Sequence, residues 1–410
     1  MIPTLKTLLT ALAITLIACS VRAQEVTYPF NIRTITAGVT VSGLSDTTSI
    51  LEAITFLKQA KAEYEAAGYV VQTIRISTQH LYQYLDGKTL QEALPYLQVF
   101  DKIAQKEGMP FSVGYALPPD TYQEGIGDWA YQLITSTEQI NFSLPVSSKA
   151  QGILDNGIKA AAEVTLAVAK RKEGNFRFTA SANCPANIPF FPAAYHIGEN
   201  SFGIGVEYPA LMTEIFKEGD WNTAKKNLKE GLETHFQPVE AMAKELSRTS
   251  GWKYDGIDSS PAPGLTSSIG EAIETLTKQP FGGPLTLSAC AMITDVIKSL
   301  DLQLCGYSGL MLPVIEDKVL ALRAGENRFT VQELLLFSSV SGTGLDVIPL
   351  PGNTSQETVA RIYRDVASLS LKYTDKALSA RLFLIPGKEA GDVVEFDNPY
   401  LTTAKVMKVE

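Results

Sequence analysis

Residues 31–78 read NIRTITAGVTVSGLSDTTSILEAITFLKQAKAEYEAAGYVVQTIRIST, and this stretch decides the fold class. Ile32 to Val41 is rich in β-branched residues and reads as a strand. Asp46-Thr47 then supplies an N-cap, and Ile50, Ile54, Leu57 and Tyr64 recur on one helical face until Gly68 stops the helix. Val70 to Thr78 reads as a second strand directly after it. A helix that returns the chain to its own sheet makes the second strand parallel to the first, so the unit is βαβ and the class is α/β.

The same rhythm runs outward from this unit. A helix over Leu90–Lys106 ends at Gly108 and the strand Phe111–Leu117 follows. Further strands are predicted at Gln139–Leu144, Phe176–Asn183, Gly203–Tyr208, Tyr254–Asp258, Gln303–Leu312, Leu345–Leu350 and Ser379–Ile385. Helical patterns fill Ala150–Lys172, Asn222–Arg248, Ala289–Leu300 and Gln356–Lys372. About ten strands alternating with helices, with no linker rich in Pro, Gly or Ser and no repeat, predict one α/β domain over residues 24–410. A closed α/β barrel with more than eight strands is the first expectation, and an eight-stranded barrel with additions the second.

The amino terminus reads as an export signal over residues 1–23: Lys6 gives a positive n-region, and Leu8 to Ala18 an apolar run too short to span a bilayer. Val21-Arg22-Ala23 before Gln24 suits signal peptidase and is the better-formed pattern, which predicts a periplasmic or secreted protein. Leu16-Ile17-Ala18-Cys19 resembles a lipobox, and lipidation of Cys19 is the alternative.

Hydrophobic residues make up 45% of the 410 and charged residues 19%, an ordinary globular balance with no later transmembrane segment. A net charge of −9 and the lack of a basic stripe argue against a nucleic-acid partner. Cys184, Cys290 and Cys305 remain after signal removal. One disulfide with a free thiol, or three thiols, are both open. The expected partner is a small-molecule ligand, with homo-oligomerisation left open.

Ligands in parallel α/β folds collect at the carboxyl ends of strands, so polar residues there are the site candidates. After Phe176–Asn183 comes a proline-stiffened loop holding Asn187, Tyr195 and His196. His196, one of three histidines, is the natural acid/base candidate, against the plainer reading of a structural histidine. Glu207 and Asp258 end strands and serve either as partner carboxylates or as caps. Together with His196 they form the donor set for a divalent metal, if one is bound, although no close-spaced ligand pair supports it. Farther on, fixed turns hold Tyr307, Ser308, Asp346 and Lys388. Ser341-Gly-Thr-Gly lacks both the Walker ending and the dinucleotide spacing, and no G-x-S-x-G elbow occurs.

The turns carry a family resemblance. Ile32-Arg33-Thr34-Ile35-Thr36, Pro189-Phe-Phe-Pro-Ala-Ala-Tyr195, and Gly306-Tyr-Ser-Gly-Leu-Met-Leu-Pro313 with Glu316-Asp317 are three of its phrases. Ser341-Gly-Thr-Gly-Leu-Asp346, Pro349-Leu-Pro-Gly352, and Ser379-Ala-Arg-Leu382 with Pro386-Gly-Lys388 and Gly391-Asp392 complete it. From about residue 30 onward the chain resembles the domain-of-unknown-function 711 family, a group placed with the pyruvate formate-lyase-like ten-stranded α/β barrels. The resemblance implies that fold and no settled reaction. Ser341 stands where cysteine is expected in many relatives, and the R-V-x-G-Y segment of glycyl-radical enzymes is not found, so glycyl-radical chemistry is not expected.

Together these readings predict an exported enzyme acting by acid–base chemistry on a small polar or anionic metabolite. His196, Glu207, Asp258 and Asp346 are cast as catalytic residues. Asn187, Tyr195, Tyr307, Ser308, Arg381 and Lys388 are cast as ligand contacts, with Arg381 and Lys388 holding the anion. An extracytoplasmic binding protein without catalysis is the alternative.

Overall fold

A computed structural model describes residues 29–264, 266–373 and 376–409, so the export signal expected at residues 1–23 lies outside the described residues. The opening unit forms as its sequence dictates. Strand β1 (Asn31–Val39) buries Ile32, Ile35, Ala37 and Val39. Helix α1 (Thr47–Ala66) starts where the Asp46 carboxylate accepts the Ser49 N–H at 3.1 Å, and it buries Ile50, Ile54, Leu57 and Tyr64. Strand β2 (Val71–Thr78) then pairs parallel to β1, with Ile35 opposite Ile74. Burying four such side chains contributes about 1.5–3 kcal/mol each, more than the cap's roughly 1 kcal/mol, so the apolar stripe holds the helix and the cap sets where it begins.

The pattern repeats through α2 (Leu90–Lys106), β3 (Phe111–Tyr115), α3 (Ile126–Ser136), β4 (Ile140–Ser148), the short β5 (Gly152–Ile153), α4 (Asp155–Ala169) and β6 (Phe178–Ala182). After β6 come β7 (Ser201–Glu207), α5 (Pro209–Phe216), α6 (Trp221–Ser250), β8 (Lys253–Pro261), α7 (Ile269–Thr277) and α8 (Thr286–Lys298). The chain ends through α9 (Lys318–Gly325), α10 (Val331–Ser338), β9 (Gly344–Pro351), α11 (Gln356–Lys372), β10 (Leu378–Ile385) and the pair β11 (Val393–Val394) and β12 (Ala404–Lys405). The result is one α/β domain around a mixed ten-stranded sheet in the order β8-β7-β1-β2-β3-β4-β6-β10-β9, with β5 added on β4. No helix among the described residues is long and apolar enough to cross a membrane.

The sheet has two antiparallel seams, β1 with β7 and β6 with β10, and every other main pairing is parallel. Strands β1 to β4 and β6 therefore run one way, and β7 to β10 the other. Each end of the sheet thus mixes carboxyl ends of one group with amino ends of the other. The expectation of a site at carboxyl ends alone needs this correction.

Gln303–Leu312, predicted as a strand, is the main departure. It makes single parallel bridges, Leu304 to Ile257 of β8 and, just beyond, Pro313 to Asp346 of β9. Between them Gly306 and Ser308 take left-handed φ angles of 63° and 39°, which an extended strand does not permit. A glycine pair fixes this segment against the lead-in to β9: a Cβ on Gly342 would lie 2.3 Å from the Gly309 Cα. The predicted helix Ala150–Lys172 starts later, at Asp155, because Gly152–Ile153 pairs with β4.

His80 lies in the core behind β3. Its Nδ1 accepts the Tyr115 N–H at 3.0 Å and its ring stacks 4.1 Å from that of Tyr115. That bond requires an unprotonated Nδ1, and burial pushes the pKa down to about 3. A depressed histidine pKa means the unfolded chain binds the proton first, so this contribution is lost as pH falls below the unfolded value of about 6.5. The unfolding free energy from urea denaturation should fall by about 1.6 kcal/mol between pH 6.5 and pH 5 through this group. His80→Asn, whose amide oxygen can take the same N–H, should flatten that slope. An unchanged slope would count against the assignment.

Candidate functional site

The β-strands that carry apolar side chains toward the helices carry small polar ones on alternate positions: Thr34 and Thr36, Thr73 and Ser77, Ser143 and Ser147, Thr179 and Ser181. Such alternation in strands covered on one face by helices leaves the other face for a polar interior. At one end of the sheet this interior opens into a cavity of about 530 Å³. Its walls come from the amino ends of β1, β2, β4 and β6, from the residues after β8, and from β9 and β10.

Five arginines line the cavity: Arg33 from β1, Arg75 from β2 and Arg381 from β10 are borne by strands, and Arg171 and Arg177 come from the segment between α4 and β6. Each strand-borne guanidinium lies over an aromatic ring: Arg33 at 4.5 Å from Tyr400, Arg75 at 5.4 Å from Phe191 and Arg381 at 4.8 Å from Phe176. Stacking on a ring holds the plane of the group and leaves its N–H edge free to point at an oxyanion. These three arginines differ in how their charge is met. Arg381 donates to Asp346 at 2.8 Å and to Glu316 at 2.7 Å. Arg33 donates to the Gln72 side chain at 2.8 Å and has Glu207 at 4.0 Å.

Arg75 has its Nε on the Thr73 hydroxyl at 3.2 Å, and among the described residues no carboxylate lies within ion-pair distance of it. Burial, and then the Arg33 charge, lower the pKa of Arg75. A guanidinium does not give up its proton in a protein, so this pressure amounts to a demand for a counter-anion.

Glu316 faces the same cavity from the turn before α9. Burial raises its pKa, the charges of Arg381, Arg33 and Arg75 oppose the rise, and the Asp346 charge adds to it. The carboxyl-terminal segment closes one side, with the Asp397 N–H on Glu173 at 2.6 Å and the Thr402 N–H on the Ile315 carbonyl at 2.8 Å.

Several residues singled out from the sequence meet here. Arg381, Asp346 and Tyr307 line the cavity, and Tyr307 donates to Ser379 at 3.0 Å. Glu207 stands next to it and orients Arg33: it accepts from Asn31 at 3.1 Å and from Gln72 at 2.7 Å. Asp258 and Ser308 act one step back. The Asp258 carboxylate accepts the Tyr307 and Ser308 N–H groups at 2.8 and 2.9 Å, and Ser308 donates to the Cys305 carbonyl at 2.8 Å. They build the turn that presents Tyr307 and contact the cavity through it.

The others lie elsewhere. His196 is fully buried toward the opposite end of the sheet, between Asn187 at 3.2 Å, the Gly198 carbonyl at 3.2 Å and Ser201 at 3.4 Å. Burial lowers its pKa, and a Cβ on Gly38 would come 2.2 Å from its Nδ1, so it packs as a neutral structural histidine. Asn187 and Tyr195 belong to the same packing, Tyr195 donating to the Cys184 carbonyl at 3.0 Å. Lys388 is exposed in the turn after β10 and borders no part of the cavity.

The suggested metal set is not assembled. Ser201, which touches His196, and Glu207 are opposite ends of β7, about 20 Å apart at the rise of a strand. Among the described residues no group of three His, Cys, Asp or Glu side chains is placed to hold a metal ion. The three described cysteines are free, and burial pushes the Cys184 thiol up to about 11.

Arg33, Arg75 and Glu316 line the cavity and were not among the sequence candidates. Their signal was Thr73-Ile-Arg75-Ile-Ser77, a charge on the face where neighbouring strands carry Ser and Thr.

Comparison with known proteins extends over nearly the whole chain. A UPF0210 protein of Pyrobaculum aerophilum is 27% identical over 387 residues, covering 87% of this chain and 84% of the relative. One from Carboxydothermus hydrogenoformans is 27% identical, covering 89% and 88%. One from Methanopyrus kandleri is 29% identical, covering 78% and 73%. Residues 26–398 match the family described as uncharacterised ACR (DUF711), and the chain belongs to that family.

Proposed function

We propose that the sheet closes into a ten-stranded barrel of the pyruvate formate-lyase-like type, with 303–314 as the stave between β8 and β9. In this reading the cavity at its mouth takes a small anionic metabolite, on which the protein acts by acid–base chemistry. One juxtaposition carries the functional reading: Arg75, a guanidinium without a carboxylate partner, shares the cavity with Glu316, a carboxyl group whose burial favours the protonated form. Arg75 and Arg33 hold the anion. Glu316, its pKa drawn up from the usual carboxylate range, gives or takes the proton, and Arg381 fixes its direction while Asp346 balances the charge. Export is part of the proposal, on the strength of Lys6, the apolar run Leu8 to Ala18 and the small residues before Gln24, with anchoring through Cys19 as the minority form.

A second reading is favoured by the Glu316–Arg381 contact of 2.7 Å, which ties the would-be base to a cation. It makes the protein an extracytoplasmic binding protein that returns its ligand unchanged. Incubating the protein with a metabolite extract and following the extract by mass spectrometry separates the two. Turnover is expected for the enzyme. Arg75→Gln should weaken capture at least about tenfold, through loss of a charge-assisted bond. Glu316→Gln should slow turnover about a hundredfold with capture largely kept. A ligand that binds and stays intact through long incubation would establish the binding protein instead.

A further inference from the structure

We infer that the ligand is a hydroxylated carboxylate, an anion at one end and a donor of hydroxyl hydrogens along its length; this rests on the anion-binding reading of the same cavity. The arginine side of the cavity asks for oxygen atoms that only accept. Of the five N–H donors a guanidinium carries, Arg75 spends its Nε–H on Thr73. The opposite wall asks for the reverse.

Tyr307 donates its hydrogen to the Ser379 hydroxyl at 3.0 Å, and Ser379 turns its own toward the Thr343 carbonyl at 3.4 Å. Both hydroxyls border the cavity with their hydrogens committed, so what they have left is lone pairs. Glu316, with one carboxylate oxygen on Arg381, has accepting capacity to spare as well.

Inorganic phosphate or a plain carboxylate would satisfy Arg75 and leave this wall unanswered. A ligand carrying both an anionic end and hydroxyls answers both sides.

Isothermal titration calorimetry of the full mature chain with D-gluconate, hexanoate and inorganic phosphate tests this. Gluconate and hexanoate share chain length and carboxylate and differ in their hydroxyls. Gluconate should bind at least about tenfold more tightly than either of the others, because a site built around hydroxyl partners rejects the analogue that lacks them. Ser379→Ala should shrink the gluconate-to-hexanoate ratio severalfold, because it removes one accepting oxygen and frees the Tyr307 hydrogen. Hexanoate or phosphate binding as tightly as gluconate would overturn the hydroxylated ligand and leave the anion site standing. Failure of all three to bind the wild type would overturn both.

Discussion

Arg381→Met should destabilise the protein by about 3–5 kcal/mol at pH 8 and by clearly less at pH 5. The guanidinium bonds to Asp346 and Glu316 at once, and all three side chains are largely buried. Removing the cation leaves two carboxylates facing each other out of water, which is costlier than the ion pair was favourable. The carboxylates can escape by taking up a proton. Burial already raises Glu316, and without Arg381 the largest opposing charge is gone, leaving only Arg33 and Arg75 against the rise.

A carboxyl group whose folded pKa lies above its unfolded value of about 4.3 binds more protons folded than unfolded. Its stabilising share is therefore present in full below that unfolded value and is lost as pH climbs through the folded one. Urea denaturation of variant and wild type at pH 5, 6.5 and 8 measures this, and taking the difference cancels the opposite slope from His80. Arg381→Lys should fall between the two, because an ammonium supplies the charge without the planar fork that reaches both partners. A penalty equal at pH 5 and pH 8 would mean that lost packing on Phe176, and not charge, sets the cost.

Much of the fold was legible because the decisive signals are local. Asp46, Thr89 and Ser355 cap helices that begin where their side chains say, and Ile50, Ile54, Leu57 and Tyr64 are buried as their spacing requires. The segment 303–312 misled because its apolar residues suit a strand, while its backbone is decided by Gly306, Ser308 and a carboxylate far away in sequence, Asp258. The direction of the strands was illegible for a related reason. Whether a strand joins its neighbour parallel or antiparallel is settled by long-range pairing, and the seams at β1 with β7 and β6 with β10 turn half the sheet around.

The site was half legible. Tyr307 and Asp346 sit beside fixed turns, which drew attention to them, and Arg381 lies in the family phrase Ser379-Ala-Arg-Leu382. Arg33 and Arg75 lie within strands, and a charge beside isoleucine in a strand looks like solvent-facing alternation until the hollow between the strands is known. His196 drew attention by its rarity, but rarity says nothing about burial.

Asp317 should prove as sensitive as Arg381, for a reason that reaches the site through the backbone. Its two carboxylate oxygens serve different helices. Oδ1 accepts the Val319 and Leu320 N–H groups at 3.0 Å each, at the start of α9, and the Ser268 hydroxyl at 2.5 Å. Oδ2 accepts the Ile269 and Gly270 N–H groups at 2.6 and 3.3 Å, at the start of α7. One buried side chain thus matches the orphan donors of two helix termini and places its negative charge where both macrodipoles favour it.

Asp317→Ala strips the start of α9 and leaves α7 only its Ser268 cap, whose hydroxyl accepts the Glu271 N–H at 3.0 Å. A loss of about 3–5 kcal/mol is therefore expected, from the lost capping at about 1–2 kcal/mol per terminus plus the unmatched N–H groups. Asp317→Asn keeps one accepting oxygen and turns an amide toward the other set of donors. It should cost about half as much, with hydrogen exchange accelerating in the first turn of one helix and not of both. Acceleration in neither helix would sink the shared-cap account. Glu316 immediately precedes Asp317, so the capping that fixes Asp317 also fixes the backbone from which Glu316 reaches Arg381. On the proposal that Glu316 is the acid, turnover in Asp317→Asn should therefore fall more than ligand capture does, since Asp317 would aim Glu316 without touching the ligand.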